Sequence, residues 1–152
     1  MVDGDLKFFK DRVIRDPIAS ILLKNSCLTH TQYETLIIDI LCNKNSDINI
    51  TYDEKALLRS RNVSRGSFSR TLAQARGNVV SAIYTILLLS YIGVFDEAPF
   101  DAYQILAEKL RDYLEIFRDS ELSQNRLLLQ RIEKELMDGI KELAQPKSLR
   151  PV

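Results

Sequence analysis

A run of nineteen uncharged residues, from Gly77 to Phe95, places the strongest limit on how this 152-residue chain can fold. As an α-helix the run spans about 28 Å, slightly less than the roughly 30 Å of a bilayer's hydrocarbon core. Several polar side chains interrupt it, namely Asn78, Ser81, Tyr84, Thr85, Ser90 and Tyr91. We therefore predict an apolar helix that is buried in a helical bundle or a dimer interface, and not a membrane span.

The residues before this run carry helix-start signals. Asp16 followed by Pro17 is typical of an N-cap with a proline at the first helical position. Capping boxes at Thr29–Gln32 and Thr51–Glu54 predict the starts of two further helices. The polar residues 43–47 between these helices predict a loop, so the first half of the chain is expected to be helical.

Residues 62–76 predict a tight turn followed by a helix that continues into the uncharged run. Asn62 lies where such a turn requires a left-handed residue, and Ser64 is a candidate cap for the helix. Gly77 costs only about 1 kcal/mol relative to alanine within a helix and does not predict a break. Gly93 is expected to end the helix.

The chain after residue 95 also has helical spacing. Apolar residues recur at three- and four-residue steps from Phe100 to Phe117, and leucines then recur every seven residues. These leucines are Leu122, Leu129, Leu136 and Leu143. The period favours a coiled-coil seam between two chains, and an amphipathic helix packed on its own domain is the alternative. The fold class is predicted to be all-α, with at most a marginal β element over residues 47–51.

Charge is distributed unevenly, although the formal net charge is zero. Between Lys55 and Phe95 the charged residues are all basic, namely Lys55, Arg59, Arg61, Arg65, Arg70 and Arg76. Between Asp96 and Gln145, twelve acidic residues face seven basic ones. A basic segment in an otherwise neutral chain favours contact with nucleic-acid phosphates.

The basic segment has the residue types of a recognition helix. Phe68, Leu72 and Ala75 form an apolar stripe that can pack on the domain, while arginines and short polar groups face outward. The candidate DNA contacts are Ser64, Arg65, Ser67, Ser69, Arg70 and Gln74, with Arg59, Arg61 and Arg76 assigned mainly to phosphates. The alternative is a solvated helix face with no partner.

These segments together resemble region four of bacterial sigma-70 factors. The resemblance covers residues 28–76 and rests on Leu28-Thr29 with Gln32, the helix from Thr51, and Val63 to Phe68 leading to Leu72, Ala75 and Arg76. It implies a helix-turn-helix that reads the major groove of promoter DNA, with recognition through Ser64, Arg65, Ser69, Arg70 and Ala73. Arg61 stands where the family buries an aliphatic residue, and the loop over residues 43–50 is long. Nothing resembles the promoter-melting region of a complete sigma factor, which favours a stand-alone regulator.

Catalysis, a cofactor and a metal site are not expected. His30 is the single histidine, and the chain lacks a glycine-rich phosphate loop. Cys27 and Cys42 are too few for a closed zinc site and are expected to be buried thiols and not a disulfide. The acidic N-terminus, with Asp3 and Asp5, differs from a signal peptide and indicates the cytoplasm.

The predicted organisation has three parts. Residues 1–95 form a helix-turn-helix DNA-binding domain with an N-terminal helical extension, residues 96–145 form a long helical or coiled-coil dimerisation segment, and residues 146–152 form a disordered tail. The predicted function is sequence-specific binding of double-stranded DNA by a homodimer that regulates transcription, with the transcription machinery as a further candidate partner. Two alternatives remain open: a helical adaptor that binds a protein, and an RNA-binding helix-turn-helix protein.

Overall fold

The computed structural model describes residues 2–44, 49–95, 100–118 and 126–144, and the all-α class is confirmed over them. The helices are α1 (Val2–Ile14), α2 (Pro17–Lys24), α3 (His30–Lys44), α4 (Tyr52–Leu57), α5 (Arg65–Tyr91), α6 (Phe100–Arg118) and α7 (Arg126–Ala144). No strand occurs in these ranges. Of the predicted β element, residues 49–51 are irregular, and residues 47–48 lie outside the described residues.

The predicted helix starts before α5 are confirmed. The amide of Ala19 donates to Asp16 Oδ1 over 2.7 Å at the start of α2. The capping box of Thr29–Gln32 is formed before α3, and that of Thr51–Glu54 before α4. These contacts satisfy amide groups that have no partner inside their own helix, which explains why short sequence signals locate the helix starts.

Both ends of α5 are as predicted, but the turn before it is not. The amide of Ser67 donates to Ser64 Oγ over 3.2 Å, so Ser64 caps the helix. At the other end, Gly93 has a φ of 76° and the amide of Val94 donates to the carbonyl of Leu89, which is a Schellman motif. The left-handed conformation predicted for Asn62 is wrong, since glycine is the only residue type with a positive φ among the described residues.

The chain divides into two compact units, residues 1–84 and residues 85–152. The division falls within α5, and does not coincide with the predicted domains of 1–95 and 96–145. The predicted tail, residues 146–152, lies outside the described residues.

The core of the first unit is formed by α1, α3, α4 and α5. Phe68 and Leu72 of α5 pack with Ile38 and Cys42 of α3, and Leu6 of α1 joins the same cluster. The predicted apolar stripe of the basic segment is therefore confirmed, with its three residues 0–2% exposed. It anchors the first part of α5 to the rest of the unit.

In the second unit, α6 and α7 pack against each other in antiparallel orientation. The hydroxyl of Tyr103, near the start of α6, donates to the carbonyl of Leu143 at the end of α7 over 3.3 Å. Further along α6, the buried Tyr113 donates to Glu133 Oε1 over 2.8 Å. Because α6 and α7 form this antiparallel helical hairpin, they are not parts of one continuous helix as the prediction for residues 96–145 allowed, and residues 119–125 between them lie outside the described residues.

Candidate nucleic-acid interface

The exposed side of the first three turns of α5 carries the residues predicted to contact DNA. Arg65 and Arg70 are exposed, as are Ser64 and Gln74, while Ser67 and Ser69 are half-buried. Arg65, Ser69 and Ala73 follow one another at four-residue steps, so they share one side of the helix.

Arg65 is held only weakly. Its side chain is 66% exposed, and its Nη1 lies 3.8 Å from Oδ2 of Asp53, whose side chain is also largely exposed. Exposed pairs of this kind contribute roughly 0–1 kcal/mol and exchange readily with other ligands. Arg65 is therefore available to a phosphate or a base edge.

Arg59 is not available for the predicted phosphate contact, because it is buried. Its Nε donates to Glu34 Oε2 over 3.0 Å, and its Nη1 donates to Thr35 Oγ1 over 3.2 Å. Breaking a buried pair of this kind costs several kcal/mol. The role of Arg59 is to hold residues 58–60 on α3, which corrects the sequence-based assignment.

Glu34 is the centre of this buried cluster. It accepts hydrogen bonds from the amide and hydroxyl of Ser60, at 2.7 and 2.6 Å, and from Lys10 Nζ at 3.3 Å. Burial raises the pKa of Glu34, but the hydrogen bonds from Ser60 and Lys10 outweigh it and hold the pKa below its ordinary value. The charged carboxylate therefore fixes the chain just ahead of α5.

Asp39 forms a second cluster that reaches α5 itself. It accepts from Lys55 Nζ over 2.8 Å and from Arg76 Nη2 over 2.7 Å. Burial raises the pKa of Asp39, yet these two cations lower it by more, so that the pKa lies below its ordinary value. Arg76 keeps a side chain that is 55% exposed, and two cations share one anion. Arg76 can still contact a phosphate as predicted, but Asp39 offsets part of the positive charge that Arg76 and Lys55 carry together.

Sequence reasoning missed these two clusters. It counted six basic residues without acids from Lys55 onward, whereas the compensating acids, Glu34 and Asp39, lie on α3. The available signal was that Glu34 and Asp39, the two acidic residues of α3, lie among its apolar residues. Lys55 and Arg59 are buried because Asp39 and Glu34 pair with them. The bases that remain exposed are Arg61, Arg65 and Arg70, with Arg76 in part.

The prediction that the helix beyond Gly77 is buried is wrong for the single chain. Nine large apolar side chains between Val79 and Ile92 are 36–89% exposed, and Leu89 is half-buried. By length and composition alone, α5 is the one helix among the described residues that is long and apolar enough to cross a membrane. Periodicity and composition cannot reveal what such a helix packs against, which is why the prediction failed.

The leucine repeat lies only partly within the described structure. Leu136 is buried between α6 and α7, and Leu143 is half-buried with its carbonyl bonded to Tyr103. Leu122 lies outside the described residues, as does the side chain of Leu129. Leu136 therefore packs within its own chain, which is the alternative to a seam between chains.

The cysteines do not form a disulfide. Cys42 is buried as expected, whereas Cys27 is exposed, contrary to the prediction. Among the described residues, no group of three or more His, Cys, Asp or Glu side chains is arranged to hold a metal ion.

Comparisons with known proteins gave no match of any kind. No protein-family model matches this chain, and neither the curated proteins nor the solved structures contain a match. The resemblance of residues 28–76 to region four of sigma-70 factors therefore stays a prediction.

Proposed function

We propose that this protein binds double-stranded DNA in a sequence-specific manner through the first three turns of α5 and regulates transcription. The supporting observation is the division of this helical segment into two sides. Phe68, Leu72 and Ala75 are buried in the first unit, while Arg65 and Arg70 extend into solvent. Arg70 lies opposite the buried stripe and Arg65 lies at the exposed start of the helix, so this segment can present both side chains to a major groove roughly 12 Å wide.

The helix N-terminus adds to the electrostatic attraction. The partial positive charge of the helix start favours a phosphate, and the Ser64 cap and Arg65 lie at that end. In the proposed complex Arg65 and Arg70 contact base edges, and Arg61 and Arg76 contact phosphates. The further proposed contacts are Ser64, Ser67, Ser69 and Gln74, while Arg59 is left out because it is buried.

The connection before α5 differs from a standard helix-turn-helix but is held rigidly. Residues 58–64 join α4 to α5, whereas the usual turn has three or four residues. Lys10 Nζ donates to the carbonyl of Leu58 over 2.9 Å, and the amide of Ser60 donates to Glu34. Because these contacts fix the connection, α5 needs little ordering when it binds, which lowers the entropic cost of binding.

The first test combines selection and substitution. Duplex DNA bound by the parent chain is selected from a random pool, and affinity for the selected sequence is measured for Arg65→Ala and Arg70→Ala. Each substitution should cost on the order of 1–3 kcal/mol on the selected site and less on random DNA, since base contacts carry the preference.

Arg131→Ala is the matched control for Arg65→Ala. Arg131 is also largely exposed and lies 3.7 Å from a carboxylate, that of Glu135, but it is on α7. It should bind the selected site as the parent does. Parent-like binding by both Arg65→Ala and Arg70→Ala would show that the recognition segment is misassigned.

Salt dependence separates this proposal from the alternatives. Phosphate contacts release counterions, so affinity for duplex DNA should fall steeply as salt rises. The exposed apolar part of α5 favours the second candidate function, a helical adaptor, which predicts no DNA binding even at low salt. Preference for structured RNA over duplex DNA would support the RNA-binding alternative instead.

A further inference from the structure

The second part of α5 exposes a continuous apolar surface. Its exposed large apolar side chains, with that of Ile92 directly after the helix, form what we call the α5 apolar surface: Val79, Val80, Ile83, Tyr84, Ile86, Leu87, Leu88, Tyr91 and Ile92. Val80, Tyr84, Leu87 and Tyr91 follow at three- and four-residue steps and so share one side of the helix. Ile83 is adjacent to this stripe, whereas Thr85 lies roughly 100–160° around the helix from all five residues, on the side of Leu88 and Ile92.

The α5 apolar surface has the size of a stable interface. The exposed fractions, from 36% for Ile86 to 89% for Tyr91, correspond to roughly 1,000 Å² for all nine side chains, which extend around more than half of the helix, and to roughly 600 Å² for Val80, Ile83, Tyr84, Leu87 and Tyr91 on one side. The largest apolar patch on a typical monomer is about 300–600 Å². Each partner in a standard interface contributes about 800 Å². Two copies paired through this one side would bury roughly 1,200 Å² in total, which is the lower end of the range for specific interfaces.

The chemistry of the surface favours a second copy of the same chain. No charged residue occurs from Gly77 to Phe95, so two such helices can approach without like-charge repulsion. An isologous two-fold interface requires a patch that is complementary to itself, and an uncharged apolar stripe meets this condition. A charged partner would find no opposite charge on it.

A lipid bilayer fits the same surface less well. Phe68 and Leu72 are in the core of the first unit, and Arg76 is bonded to Asp39, so this part of α5 cannot enter a membrane without unfolding that unit. Residues 77–92 remain and span about 24 Å, less than the roughly 30 Å hydrocarbon thickness.

We propose that one side of the α5 apolar surface, formed by Val80, Ile83, Tyr84, Leu87 and Tyr91, is the homodimer interface of this protein. The interface thus lies on α5, and not on the leucine repeat, where Leu136 is used inside the α6–α7 hairpin. This proposal does not depend on DNA binding, because association is measured without DNA.

The test compares two glutamate substitutions in sedimentation equilibrium. The parent should sediment at twice the 17.5 kDa chain mass. Leu87→Glu places a charge within the proposed interface and should weaken association at least a hundredfold, yielding a monomer with unchanged helical content. Thr85→Glu adds the same charge at an exposed site on the other side of the same helix, and it should remain dimeric.

A cross-linking experiment gives a result that does not depend on a loss of stability. In a Cys27→Ser background, Ile83→Cys and Leu87→Cys place thiols within the proposed interface, and Thr85→Cys places one outside it. Mild oxidation should join two chains through position 83 or 87 and leave the Thr85→Cys chains separate.

Three results would overturn the proposal. The first is a parent chain that sediments as a monomer at tens of micromolar. The second is a Leu87→Glu chain that remains as tightly dimeric as the parent. The third is a parent chain that co-sediments with phosphatidylcholine vesicles, whereas Leu87→Glu does not, which would assign the surface to a membrane.

Discussion

Glu34 and Asp39 are buried carboxylates on α3 that each pair with two cations. Glu34 is paired with Lys10 and Arg59, and Asp39 is paired with Lys55 and Arg76. Desolvation of these charges is costly, and their mutual attraction offsets it only while every partner is present. Loss of one carboxylate therefore leaves cations in the interior without compensation.

Acid should destabilise the fold through these two groups. Their pKa values in the folded state lie below the ordinary values of 4.5 for Glu34 and 3.8 for Asp39. A lowered pKa stabilises the folded state fully above the ordinary value, and this stabilisation is lost as pH falls toward the folded-state pKa. The free energy of unfolding in urea should therefore drop between pH 5 and pH 3, a window set by roughly the ordinary carboxyl values.

Substitution by neutral amides tests whether Glu34 and Asp39 cause this pH dependence. Glu34→Gln should cost about 3–5 kcal/mol at pH 7, and Asp39→Asn should also destabilise the fold, and both should flatten the pH dependence. Asp53→Asn, at a largely exposed carboxylate beside Arg65, is the control and should change the free energy of unfolding little. A Glu34→Gln chain with the parent's pH dependence would contradict this explanation.

At the scale of the helix, the two glycines near the middle and the end of α5 have opposite roles. Gly77 lies within the helix with nothing within 4 Å of an added Cβ, so Gly77→Ala should stabilise the fold by about 0.5–1 kcal/mol. Gly93 has a φ of 76°, and Gly93→Ala should be destabilising because a side chain strains this conformation. Urea unfolding of the two variants, at equal protein concentration, measures both effects.

Gly77→Ala also reports on the self-association surface. A stabilised chain with unchanged association would show that Gly77 is not needed for close helix approach. Destabilisation by Gly77→Ala would contradict the unbroken exposed helix described for this position.

The features of α5 that could be predicted from sequence are local ones. The Ser64 cap, the end at Gly93 and the buried stripe from Phe68 to Ala75 depend on residues within a few positions of each other. Propensity and periodicity report such contacts directly.

The features that could not be predicted depend on distant partners. Arg59 is buried because Glu34, on another helix, neutralises it, and the sequence count of the basic segment contained no sign of that. Likewise, the seven-residue leucine period of α7 does not distinguish packing of the leucines against another chain from packing against α6. The exposure of Arg65 and Arg70 was predicted correctly because neither side chain is held by a buried partner.

At the scale of the whole molecule, α5 belongs to both compact units, and one unbroken helix carries the basic residues and the α5 apolar surface. Each residue of an α-helix adds about 1.5 Å of rise and about 100° of rotation, so the number of residues between the basic residues and the α5 apolar surface sets their spacing along and around α5. If both proposals hold, pairing through one surface determines how far apart, and at which angle, the two basic segments meet the DNA.

Insertions between Asn78 and Val79 can change the rotation of the apolar surface around α5 and its distance from the basic residues separately. One added alanine rotates the apolar surface by about 100° relative to the basic residues, while seven restore the phase to within about 20° and lengthen the helix by about 10 Å. Both variants should stay dimeric in sedimentation. The single insertion should lose affinity for the selected operator, and the seven-residue insertion should select operators with wider half-site spacing. Unchanged operator affinity after the single insertion would show that the rotation of the apolar surface relative to the basic residues does not affect DNA binding.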